Sequence, residues 1–216
     1  EAELAERYDV SRLTIREAVK MLEGRGLLEI ARGRKAVVRA PNGSAFTDFL
    51  TSVIRHDAHG LFDLLQVRLS LEVQSATLAA KHASRAGITA IEQALDGMRQ
   101  AVGDTDTYSE EQELAFQRFD IGFHEAIALA SGNRVMGYLF EAMAIPLREG
   151  FAFSRRGHQQ RGQTLRHTLD AHQRILDCIR QGNGRGAADA MRHHLKDTEL
   201  DIRTAMSTYA GRDQRK

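Results

Sequence analysis

The 216-residue chain has no tryptophan, one cysteine and two prolines. Cys178 alone closes no internal disulfide, so packing must hold the fold, and the usage suits a reducing compartment. So few prolines leave long stretches open to uninterrupted helix. No run of about 20 apolar residues occurs, and no stretch reads as a signal peptide, so a membrane span is not expected. The net charge is only +1, so no global bias advertises nucleic acid or membrane. Hydrophobic residues make up 42% and charged residues 27%. That is ordinary globular composition, enough for one large domain or two small ones. The chain opens at Glu1 without a methionine, in mid-motif, and further N-terminal residues are expected.

What is present divides into two regions. In the first, Glu3–Tyr8 reads as a short helix and Asp9-Val10 as a turn. Ser11 is an N-cap for a helix running to about Glu23, which Gly24 and Gly26 end. Leu28–Ile30 and Ala36–Val38 read as short strands around the basic turn 31–35. Helix, turn, helix and a basic two-stranded wing make a winged helix-turn-helix. Pro41-Asn42-Gly43-Ser44 reads as a linker. Beyond it strand-like alternation is absent. Helices are expected over Phe46–Arg55, Leu61–Ser84, Ile88–Val102, Glu110–Ser131, Arg134–Arg155, Arg161–Gln181 and Arg185–Tyr209. Breaks are expected at Gly60, Gly87, Gly103-Asp104, Gly132-Asn133, Gly157 and 182–184, with Pro146 kinking or splitting its helix. The expected fold is mainly α: a winged helix over 1–40, a linker over 41–45, and an all-α bundle of six to seven helices over 46–211.

On the second helix Ile15, Ala18, Val19 and Leu22 share one side and face a small core. The opposite side carries Arg12, Leu13, Arg16, Glu17 and Lys20. Arginines suit phosphates and guanine edges, and Ser11 and Thr14 suit backbone contacts. Leu13 is the oddity, an apolar side chain facing outward that suits a thymine methyl. In the wing, Arg32, Gly33, Arg34 and Lys35 can approach a phosphate or minor groove, with Gly33 permitting close contact. Residues 1–41 hold nine Lys/Arg against seven Asp/Glu, so positive charge is concentrated there. A solvated helix face accounts for Arg12, Arg16 and Lys20 equally well in isolation; the helix-turn-helix context and the basic hairpin favour DNA.

In the second region FDIGFHEAI (119–127) places Asp120 and His124 on one helical face with Phe116, Phe123 and Ile127. His172 shares an apolar face with Leu165, Leu169, Ile175, Leu176 and Ile179. His194 lies in phase with Ala187, Ala190 and Met191, while His193 and His167 fall among charged neighbours. A single inward histidine is usually a core residue bonded to a carbonyl. Three of them with an inward carboxylate are different, because burying such groups unpartnered costs about 2–7 kcal/mol each. A divalent transition metal satisfies them, zinc first, with Ni, Mn or Fe as alternatives. Arg68 shares a face with Leu64, Leu65, Leu71 and Glu72, and pairs with either Glu72 at the bundle rim or a ligand carboxylate. Asn133 is either a ligand contact or a C-cap.

The stretch EAELAERYDVSRLTIREAVKMLEGRGLLEIARGRKAVV resembles the winged-helix domain of GntR-family transcription regulators. The shared pattern, E-x-x-L-A then V-S-R-x-T-I-R-x-A-V and G-L-L, spans nearly all of residues 1–39. The resemblance implies a further helix before Glu1. It also implies DNA contacts at Ser11, Arg12, Thr14, Arg16, Arg32 and Gly33, with Leu13 departing from the polar residue often found at its position. LLQVRLSLEVQSATLAA, FDIGFHEAIALASGN, LDAHQRILDCIRQGN and AADAMRHHL are similar to the FCD effector-binding domain of the FadR subgroup. In that domain's metal-binding branch the ligands fall on Asp120, His124, His172 and His194, and Arg68 takes the position of an arginine for a ligand carboxylate. The expectation is a cytoplasmic, homodimeric repressor that binds a palindromic double-stranded operator and senses a small organic or sugar acid at a metal ion, with no membrane partner. The alternatives are a metal-dependent enzyme using the Asp/His set, and a regulator whose metal is purely structural. If Arg16 makes a good base contact, Arg16→Ala weakens operator binding by about 1–3 kcal/mol in a gel-shift titration; unchanged affinity removes it from the reading face.

Overall fold

The computed structural model describes residues 1–30, 35–40, 43–56, 58–103 and 108–213. Among these, the order is α1 (Ala2–Arg7), α2 (Arg12–Gly24), β1 (Leu28–Glu29), β2 (Val37–Val38), α3 (Ser44–His56), α4 (Ala58–His82), α5 (Arg85–Val102), α6 (Glu110–Ala130), α7 (Arg134–Gln160), α8 (Leu165–Arg180) and α9 (Gly184–Asp213). The mainly α fold is as expected, a helix-turn-helix with a two-stranded wing followed by seven helices.

In the head, Ser11 caps α2 by accepting from the Thr14 N–H at 3.1 Å, which satisfies one of the orphan donors of a helix start. Ile15 and Val19 then face inward against Ala5 and Leu28. The wing is antiparallel, with Leu28 opposite Val38 and Glu29 opposite Val37. Both strands are shorter than expected, and most of the basic turn, including Arg32 and Gly33, lies outside the described residues.

The bundle buries two apolar clusters. The larger joins Ile91, Leu95 and Met98 of α5, Phe116, Phe123 and Ile127 of α6, and Ile175, Leu176 and Ile179 of α8. The smaller joins Leu61, Leu64 and Leu65 of α4 to Phe140, Met143 and Leu147 of α7 and Ile202 of α9. Helix α6 starts cleanly: Ser109 and Gln112 form a reciprocal capping box, and Glu110, Glu111 and Glu113 complement the helix dipole. These caps fix the phase that turns Phe116, Phe123, His124 and Ile127 inward.

Three expected breaks are displaced from their glycines: α3 gives way to α4 between His56 and Ala58, α4 to α5 between His82 and Arg85, and α7 to α8 between Gln160 and Leu165. Gly60 lies inside α4, Gly87 inside the first turn of α5, where its N–H is capped by Ser84, and Gly157 inside α7. Helix α7 also continues through Pro146 without splitting. A glycine costs a helix interior only about 1 kcal/mol, which packing readily overrides. At Gly157 the packing reason is visible: a Cβ there would overlap the Asp201 carbonyl, so the absent side chain lets α7 and α9 touch. Gly43 plays a similar part ahead of α3. Its N–H donates to Glu141 Oε2 at 3.0 Å, and a Cβ would overlap the Tyr138 carbonyl. Helix α3 thereby begins at Ser44, within the expected linker.

Gly157→Ala forces α7 and α9 apart and is expected to cost about 1–3 kcal/mol, lowering Tm by about 2–4 °C per kcal/mol. Gly24→Ala, where a Cβ meets nothing within 4 Å, is expected not to lower Tm in the same thermal melt.

Candidate metal centre

Three helices, α6, α8 and α9, bring Asp120, His124, His172 and His194 together, with one donor atom from each lying within 4.8 Å of all the others. The three imidazoles are buried and Asp120 is nearly so. His124 Nε2 lies 3.3 Å from His172 Nε2 and 3.3 Å from His194 Nε2. Asp120 Oδ1 lies 3.1 Å from His172 Nε2. The site sits between the two apolar clusters: Phe123 meets the His172 ring edge-on at 4.5 Å, and Phe140 stacks on His124 at 6.2 Å.

The outer contacts decide which nitrogens face the centre. His172 Nδ1 lies 2.7 Å from the Thr168 carbonyl. A carbonyl only accepts, so Nδ1 carries the hydrogen and a neutral ring turns its Nε2 lone pair toward Asp120. Glu72 sits against His124 Nδ1 with Oε2 and takes the Arg68 Nε–H with Oε1. By the same reasoning a neutral His124 also presents a lone pair at Nε2. Acceptors facing acceptors at 3.1–3.3 Å repel unless a cation, a proton or a metal ion, lies among them. The spacings of these three pairs lie near the separation expected between neighbouring donors on a metal ion with bonds of about 2.0–2.1 Å.

The electrostatics point the same way. Burial lowers the affinity of His124 for a proton, an effect that the Glu72 charge only partly offsets, so its pKa lies below the ordinary value of 6.5. Burial also holds His194 well below that value, and the His172 and His124 rings reinforce it. For Asp120 burial pushes upward, but Arg68 and the positive charge at the centre, which a proton between His172 Nε2 and Asp120 or a metal ion there would equally supply, prevail and lower its pKa. Glu72 is likewise lowered, since Arg68 and His124 overcome its burial. Neutral imidazoles and ionised carboxylates are the protonation states that bind metals.

A cavity of about 300 Å³ opens beside this cluster. Asp120, His194 and Arg68 are among its lining residues, and Gln117, Ser154, Thr168 and Thr198 add polar groups to that lining. Arg68 therefore borders the cavity as expected, although its pairing with Glu72 is buried in the bundle and not at the rim. Asn133 is a correction. Its side chain accepts from the Val135 N–H at 3.1 Å as the N-cap of α7, and it is exposed outside the cavity. Glu125 lines a separate groove with Gly122 and Leu129. Glu72 was recognised in the sequence only as a partner for Arg68; its spacing gives no sign of contact with His124, which comes from α6.

A second buried cluster escaped the sequence reading because α7 was expected to end before Gly157. His158 Nδ1 bonds Asp201 Oδ2 at 2.9 Å, its Nε2 lies 2.8 Å from the Thr164 carbonyl, and Arg161 donates to Asp201 Oδ1 at 2.6 Å. Burial opposes the charge on His158, but the Asp201 hydrogen bond and the Thr164 carbonyl win and raise its pKa. In phase, His158 follows Phe151 and Ser154 along the cavity face of α7, which was the available signal.

On the head, Ser11, Arg12, Thr14, Arg16 and Lys20 are all exposed on the first turns of α2. Ser11 Oγ and Thr14 Oγ1 lie 2.8 Å apart, Arg16 pairs with Glu1 at 3.4 Å and Lys20 with Glu17 at 3.5 Å. These surface pairs are weak and yield easily to phosphate.

A winged helix-turn-helix joined to an all-helical bundle defines the class, a DNA-binding transcription regulator. The chain belongs to the bacterial regulatory proteins of the gntR family, whose model matches residues 1–38, and it carries an FCD domain over residues 63–197. It is 34% identical over 207 residues to the Uxu operon transcriptional regulator of Escherichia coli (strain K12), covering 92% of this chain and 75% of that protein. It is 30% identical to the HTH-type transcriptional regulator LutR of Bacillus subtilis (strain 168), covering 91% and 86%. Among solved structures it resembles Streptococcus agalactiae GntR, with a TM-score of 0.63 and 28% identity over 90% of this chain and 84% of that one. Its function is accordingly regulatory, not enzymatic. Among the described residues no helix is long and apolar enough to cross a membrane.

Without metal, the buried imidazoles make the bundle acid-sensitive. Unfolded, His124 and His194 take up protons near 6.5; folded, they resist. Stability is therefore full above that value and is lost as pH falls below it. His158 acts oppositely, contributing below 6.5 and losing its contribution as pH rises through its raised pKa. In chelator, Tm is expected to fall from roughly pH 7.5 to about 5.5, and His194→Asn should fall less steeply. A parallel pair of curves excludes His194 as a source.

Proposed function

We propose that this regulator binds a divalent transition metal, zinc first, on Asp120, His124, His172 and His194, and senses a small organic or sugar acid beside it. The carrying observation is the convergence of four donor atoms, two of them on Asp120 and His194, which line a cavity that Arg68 also borders. Charge supports an acid as the effector. Arg68 and Glu72 cancel, so a divalent ion with Asp120 leaves about one positive charge, which a monocarboxylate neutralises. A metal ion that takes more than four ligands would offer the acid its remaining positions; the chain's own residues supply the rest. Glu72 and the Thr168 carbonyl hold the His124 and His172 rings in orientation. The remaining N–H donors of Arg68 suit a carboxylate fork.

The protein acts as a cytoplasmic homodimer, in which two heads place Arg12, Arg16 and Lys20 of α2 on a palindromic operator, with Arg32 and Gly33 of the wing beside them, and the acid releases repression. To act as a switch, the acid must favour one arrangement of the heads. A tenfold drop in operator affinity requires about 1.4 kcal/mol of such coupling. A purely structural metal remains the competing reading, and thermal shift separates the two.

Purified protein is expected to contain close to one metal ion per chain by elemental analysis. His172→Ala should release it, and Glu72→Gln should weaken its binding by about 10–100-fold. In a panel of organic and sugar acids, at least one should raise Tm of the wild type and fail to do so for Arg68→Ala. Full metal occupancy in His172→Ala contradicts the ligand set; no stabilising acid leaves the metal structural.

A further inference from the structure

We infer that Leu13 is a specificity-determining residue that reads the C5 methyl group of a thymine in the major groove. The inference rests on the DNA-binding reading of α2.

Leu13 is 65% exposed on the second residue of α2, immediately after the Ser11 cap. Other apolar side chains of the head are comparably exposed, Tyr8, Met21, Val37 and Val38 among them, but none of these lies on the first turn of α2. Leu22 lies in helical phase with the buried Ile15 and Val19, and Met21 lies on the last turn of α2. Leu13 is in phase with Arg16, Glu17 and Lys20, all exposed, and takes no part in the cluster of Ala5, Ile15, Val19 and Leu28. It is thus the apolar member of the face that carries Arg16, Glu17 and Lys20.

The N-terminal turn of a recognition helix is the part that meets base edges. On that turn Arg12 and Arg16 flank Leu13. Arginine reads guanine O6 and N7, and an apolar side chain on a major-groove surface has one apolar target, the thymine methyl. Leucine has no donor or acceptor, so facing cytosine, guanine or adenine it strands the polar groups of the base edge. The result is a preference by contact with thymine and by exclusion of the other bases. The Ser11–Thr14 cap holds the first turn in register, so Leu13 meets a single base pair in each half-site.

The test uses the full chain and duplexes enriched from a randomised library by the wild-type protein. Each thymine of the enriched duplex is replaced in turn by deoxyuridine, which removes only the methyl group. One symmetry-related position is expected to lose about fourfold in affinity per half-site, the equivalent of about 0.8 kcal/mol for one buried methyl-sized group. Leu13→Ala should bind the thymine and deoxyuridine duplexes equally, with Tm unchanged. If deoxyuridine has no effect at any position, or if Leu13→Ala retains the same sensitivity, the assignment is overturned while DNA binding stands. If the library yields no enriched duplex, the DNA-binding reading fails, and this inference with it.

Discussion

The bundle depends on one constraint: six ionisable side chains are buried between two apolar clusters and must satisfy one another. Arg68, Glu72, Asp120, His124, His172 and His194 come from four helices. Glu72 is the pivot, because it neutralises Arg68 and contacts His124 at once. Taking one charge out of water costs several kcal/mol even after relaxation. The cluster therefore persists only if α4, α6, α8 and α9 hold their registers together. Apolar packing alone would tolerate small slips between these helices; a polar cluster of this kind does not.

The second polar cluster secures the other side of the cavity. His158, Asp201, Arg161 and the Thr164 carbonyl tie the end of α7 to α9 and to the start of α8. Gly157 lets the helices approach closely enough for that tie to form. Helix α7 thus forms a wall of the cavity, touches His124 through Phe140, and receives the Gly43 N–H through Glu141 near the beginning of α3. One rigid element is in contact with the site and with the segment that leads from the head.

The sequence was legible where periodicity and chemistry agreed. Asp120 and His124 lie four residues apart among phenylalanines, and His172 and His194 share phase with buried aliphatics; all four meet in space. It was less legible where glycine punctuated a helix. Gly60, Gly87 and Gly157 read as breaks, yet the first two are absorbed into helices and the third marks a close crossing. A lone glycine looks alike in all these roles until its neighbour from another helix is known. Asn133 shows the same limit, since an asparagine at a helix break can cap either side or meet a ligand, and only the backbone direction identifies it as an N-cap.

The sequence by itself determined the class of the protein, the winged head, the helical bundle and the inward set of one carboxylate and three imidazoles. These follow from local rules: period, caps and the spacing of side chains along one helix. Only the tertiary structure decided that Glu72 orients His124, that His158 pairs with Asp201, and that the Arg68–Glu72 pair is buried beside a cavity. Each of those is a contact between side chains far apart in the chain. Spacing along a single helix carries no information about which face of another helix will meet it, and that meeting is what turns a list of polar residues into a site.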